Sequence, residues 1–147
     1  GEQPESILNI AKTKSIDPED IIITSCLHKE VPLYISLFDV SVFFIRPTYS
    51  KKASSPTKQG EIMAMGVPLI CNAGVGDTDK VVLDYNAGVV LHELNEESYR
   101  NMPDPTSIFD RAMAMKGARE FYGLEEGVRR YSEVYSFLLE EKDHARS

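Results

Sequence analysis

Apolar residues in the first two thirds of the chain gather into four short runs, Ile21 to Ser25, Ser41 to Arg46, Val67 to Cys71 and Gly88 to Leu91. Each run is nearly continuous rather than alternating, which is how a strand reads when helices cover both its faces. Helix-like segments fill the gaps: Val31 to Phe38, Pro56 to Met65 and Asp77 to Tyr85. Strand and helix therefore alternate, and the pattern predicts an α/β protein with a Rossmann-like parallel sheet of about four strands.

Punctuation supports these bounds. Asp17-Pro18 separates a first helix, Pro4 to Lys14, from the first strand, because proline restricts the residue before it. Gly66 stops the helix before the third run, and Pro68 bars its continuation. Beyond His92 comes a polar, proline-marked loop containing Met102-Pro103-Asp104-Pro105, followed by helices over Thr106 to Tyr122 and Leu124 to Lys142. Residues 104–147 thus form a C-terminal helical segment of a single domain over 1–147. In the last helix Val128, Tyr131, Val134, Tyr135 and Leu138 recur at spacings of three and four. That makes one apolar stripe, and the expectation is that it packs against something.

The densest chemical signal is SKKASSPTKQGEIMAMGVPLICNAGVGDTD, from Ser50 to Asp79. Ser55 suits an N-cap and Pro56 a first helical position, so the helix is expected to aim its first amides back over the loop. Such amides, with the positive end of the helix dipole, seat a phosphate. Ser54, Ser55 and Thr57 add hydroxyl donors and Lys58 a counter-charge. Glu61 follows one turn later, where its two carboxylate oxygens could grip a vicinal diol such as ribose. An ordinary helix start with a solvated glutamate is the competing reading of the same residues.

Within that stretch, SSPTKQGEIMAMGVPLICNAGVGD resembles the nucleotide-sugar motif of glycosyltransferase family 4, retaining enzymes of GT-B fold in which a donor-binding helix precedes a strand of the form G-x-P-V-I. EVPLYISLFDVSVFFIRPTYS and DKVVLDYNAGVVL extend the likeness over Glu30 to Leu91. The resemblance implies a partial GT-B C-terminal, donor-binding domain, with Glu61 on the ribose hydroxyls and Ser54, Ser55, Thr57 and Lys58 beside the diphosphate and sugar. Many members carry a second Glu eight residues before this one; Ala53 stands there here. The implied intact enzyme is a hexosyl or other glycosyltransferase that uses a nucleotide-sugar donor and no cofactor or metal. Its acceptor is a glycan or lipid-linked hydroxyl, bound through an N-terminal domain outside this chain. The chain alone is then expected to be inactive, and the exposed edge of its incomplete sheet leaves room for self-association. A nucleotide-sugar epimerase of the same fold, or a non-catalytic flavodoxin-like interaction module, are the alternatives.

Composition narrows the partners. Sixteen Lys and Arg against 23 Asp and Glu leave a net charge of −7, which disfavours nucleic acid. Hydrophobic residues at 42% and charged residues at 27% describe an ordinary globular chain. Cys26 and Cys71 both lie in apolar runs and imply no disulfide framework, so the expected compartment is the cytoplasm, at the inner membrane face if the acceptor is lipid-linked. The first residues show no signal-peptide pattern. His28, His92 and His144 share no zinc-like spacing with each other or with the cysteines. Gly74-Val75-Gly76 begins like a dinucleotide fingerprint, but Asp79 stands where the third glycine belongs.

Overall fold

The computed structural model describes residues 3–144 and divides into two compact units, Gly1–Val31 and Pro32–Ser147. In the first unit α1 (Pro4–Thr13) carries proline in its first turn and buries Ala11. A 3-10 turn over Pro18–Asp20 follows, its start capped by the Asp17 carboxylate, which accepts from Glu19 N–H at 3.0 Å. The run from Ile21 to Ser25, expected as the first strand, forms no ladder, and Ile22 is 89% exposed. A β-branched run becomes a strand only when a neighbour supplies hydrogen bonds and a packing surface. None does so among the described residues.

The second unit is α/β and Rossmann-like. After α2 (Val31–Ile35) come β1 (Ser41–Val42), α3 (Thr57–Met65), β2 (Leu69–Asn72), α4 (Thr78–Asp84) and β3 (Gly88–Leu91). The sheet has three parallel strands in the order β1-β2-β3, one fewer than expected. Because sequential strands are adjacent, right-handed crossovers put α3 and α4 on one face. All four β2 residues are buried, as its unbroken apolar run requires.

Gly66 terminates α3 at φ +66°, a left-handed value that side chains resist, and donates to Ile62 and Met63 carbonyls. Met63, Leu69, Cys71, Val75 and Val82 form the driest part of the core. On the other face Ile70, Val89 and Leu91 cluster with Val40 and Met102.

The C-terminal region departs from expectation in three ways. Glu96–Asn101, inside the stretch read as loop, forms α5, capped by Asn95, which accepts from Ser98 N–H at 2.8 Å. The single helix expected over Thr106 to Tyr122 is split into α6 (Pro105–Ile108) and α7 (Arg111–Tyr122). Asp110 causes the break: its carboxylate accepts from Met113 N–H at 3.0 Å, and capping requires a non-helical residue there. Finally, α8 (Leu124–His144) forms as expected, but its apolar stripe is uncovered, with Tyr131 71% exposed. No described helix is long and apolar enough to cross a membrane.

Candidate functional site

The loops that follow β1 and β2 meet at the carboxyl edge of the sheet, the edge where open parallel sheets receive ligands. After β1 the chain makes a 3-10 turn over Tyr49–Ala53, reaches Ser54, and enters α3. After β2 it passes Gly74 and Gly76, both at positive φ, before α4. Gly76, at φ +50°, lies so close to the Ser54 carbonyl oxygen that a Cβ there would overlap it. This close approach joins the two loops.

The start of α3 lies one residue later than expected. Pro56, with φ −68° and ψ 113°, occupies the N-cap position without a side-chain cap, and helix begins at Thr57. Ser55 is then too far back to cap, and its side chain lies beside the Tyr122 phenol. Gln59 N–H donates to the Pro56 carbonyl at 3.1 Å, whereas the Thr57 and Lys58 amides make no backbone hydrogen bond among the described residues. Those two amides are the orphan donors every helix start carries.

Thr57 and Glu61 share a groove of about 380 Å³ between α3 and α7, with Gly60 and Ala64 on one wall and Ala118, Arg119, Tyr122 and Gly123 on the other. Glu61 is half-buried there and Thr57 is exposed. The groove can form because Gly60 carries no side chain: a Cβ would stand 2.6 Å from Tyr122 Cγ. Burial pushes the Tyr122 hydroxyl up to about 12, with the neighbouring Ser55 opposing the shift. The Tyr122 ring, the Glu61 carboxylate and the Arg119 side chain thus border one concavity whose walls are mainly apolar.

The expected site residues do not all converge. Thr57 and Glu61 come together on the groove wall; Lys58 is exposed and off it, and Ser54 is engaged through its backbone with the Gly76 loop. Three polar residues outside the expected set, Gln59, Thr78 and Asn72, are buried beside these loops. Gln59, fully buried, donates through Nε2 to the Thr78 carbonyl at 3.1 Å, while its Oε1 and the Thr78 Oγ1 are buried without a partner among the described residues. Asn72, at the end of β2, donates to and accepts from the backbone of Ile45. Gln59 was open to detection, because it shares the i, i+3, i+4 stripe of Ile62 and Met63 and is the polar member of a core face.

Cys71 is an inert core thiol, pushed up to about 12 by burial and, less, by Asp79. Among the described residues no three His, Cys, Asp or Glu side chains gather as a metal-binding group. Comparison of the chain with family models, with curated proteins and with solved structures found no match.

Proposed function

We propose that this chain is the nucleotide-sugar-binding part of a retaining glycosyltransferase. The observation that carries the reading is the position of Glu61, half-buried in a groove one turn beyond the open amides of α3 at the carboxyl edge of a parallel sheet. In this reading the donor diphosphate lies against the Thr57 and Lys58 amides, where the helix dipole and the Lys58 ammonium offset its charge. Ribose lies one turn along, its two hydroxyls donating to the Glu61 carboxylate. Ser54, Ser55 and Thr57 complete the polar surroundings of the diphosphate and sugar.

The protein's contribution to transfer is then electrostatic. Amides and dipole fixed by folding stabilise charge growing on the leaving diphosphate without reorganising. Glu61 contributes binding and takes no part in bond cleavage, and the acceptor is a glycan or lipid-linked hydroxyl presented by another domain.

Calorimetric titration of the chain with UDP-, GDP- and ADP-sugars tests the reading. One donor class is expected to bind, and Glu61→Ala to weaken it by about 1.5 to 3 kcal/mol, roughly tenfold to a hundredfold. Absence of binding by every donor, or equal affinity in the variant, overturns it.

A further inference from the structure

The last residue of α7, Tyr122, lies across the start of α3. Its ring rests on Gly60 so closely that a Cβ there would stand 2.6 Å from the tyrosine Cγ and 2.9 Å from its Cβ. Only glycine leaves room for a ring at that distance. From this seat the phenol extends to Ser55, two residues before the open amides of Thr57 and Lys58. Tyr122 also lines the groove that holds Thr57 and Glu61, and it is half-buried there. Where the walls of a groove are mainly apolar, the few polar groups that enter it set the orientation of a ligand.

We propose that Tyr122 is a further donor-binding residue, giving its hydroxyl proton to the diphosphate from α7 while the Thr57 and Lys58 amides hold it from α3. The assignment rests on the reading of the α3 start as the diphosphate seat. Two features of the phenol fit it for this part. Burial, with the charges of Cys71 and Asp77, disfavours its anion, so at neutral pH the hydroxyl keeps its proton. Ser55 acts the other way, as a hydroxyl does when it donates to the phenol oxygen. The acceptor side of the phenol is then engaged by Ser55, and its own proton is left for a third group. A diphosphate oxygen is an acceptor that carries charge, and a bond to such an oxygen is stronger than one between neutral partners.

Tyr122→Phe keeps the ring on Gly60 and removes the hydroxyl alone, so urea midpoints check folding while calorimetry reads binding. The titrants are UDP-, GDP- and ADP-sugars and the corresponding nucleoside diphosphates. Affinity for the nucleotide-sugar that binds is expected to fall roughly tenfold, as for loss of a hydrogen bond to a charged group. Its nucleoside diphosphate should lose affinity by the same factor, since both carry the diphosphate. Ring-selective NMR of the wild type gives a readout that needs no variant to fold: the Tyr122 resonances should shift when that donor is added. A wild type that binds no donor overturns the parent reading and this assignment with it. A wild type that binds, with Tyr122→Phe binding equally, overturns this assignment alone and leaves the tyrosine as packing on Gly60. So does a loss confined to the nucleotide-sugar, or a Tyr122 resonance that stays in place.

Discussion

The side chain of Asn72 stands in for a peptide group beside Ile45: its Oδ1 accepts from Ile45 N–H at 2.8 Å and its Nδ2 donates to the Ile45 carbonyl at 2.9 Å. The β1–β2 ladder, formally two residue pairs long, thereby continues as far as Ile45 and aims the chain toward the Tyr49–Ala53 turn and α3.

Asn72→Asp tests this directly, since a carboxylate still accepts from the N–H but repels the carbonyl. Asn72→Ala leaves both partly buried backbone groups unmet. Each is expected to lower stability by about 1 to 3 kcal/mol, read as a shift of the urea midpoint at constant slope. Amide exchange at Ile45 should quicken by more than that at Leu69, on the far side of β2.

Gly74 and Gly76 both have positive φ, yet they should not respond alike to alanine. At Gly74 the nearest atom to an added Cβ is Pro47 Cβ at 3.6 Å, an ordinary contact, so only the backbone penalty of about 1 to 2 kcal/mol applies. At Gly76 the added carbon overlaps the Ser54 carbonyl oxygen, and backbone must move. Gly76→Ala is expected to destabilise more than Gly74→Ala in urea titrations and, under the proposed function, to weaken donor binding as well, because the displaced residue leads into α3.

The elements that sequence patterning located well are those with local causes. Gly66 and Pro68 bound α3 and β2, whereas helical spacing, which predicts Thr57, Lys58 and Glu61 on one face, holds for Thr57 and Glu61 and fails for Lys58, which lies off the groove they share. The elements it misplaced depend on distant partners. Ile21 to Ser25 has every local attribute of a strand and lacks only a neighbour, and the stripe on α8 reveals an apolar face without saying what covers it. Tyr122 follows Gly60 by more than sixty positions, so the groove wall opposite Glu61 had no signature in the motif itself.

The two cysteines should separate cleanly. Cys26 is exposed and Cys71 fully buried, so a thiol reagent is expected to modify Cys26 quickly and Cys71 only on unfolding. The same burial makes stability depend on alkaline pH. Cys71 lies at about 12 against an ordinary 9.0, and Tyr122 at about 12 against 10.0. Between those values the unfolded chain loses protons that the folded chain retains, so stability is intact below pH 9 and falls as pH rises toward 12. Urea midpoints should therefore decline from pH 9 upward, and Cys71→Ala should flatten the first part of that decline. A profile unchanged in that variant would show the thiol to be open to water.

The last helix supplies a contrasting expectation. Tyr131 and Tyr135 are 71% and 65% exposed, so replacing them removes little buried surface. Near its start, α8 is held by pairing of Glu126 with Arg129 and Arg130, which hold the carboxyl at about 2. Surface substitutions remote from caps and cores usually change stability by no more than about 0.5 kcal/mol. Tyr131→Glu and Tyr135→Glu should accordingly leave the urea midpoint in place at low protein concentration, where an apolar stripe packed on the core would register the loss of each ring at about 3 kcal/mol or more. A large shift in either variant would mean that the helix lies against the body of the protein in solution.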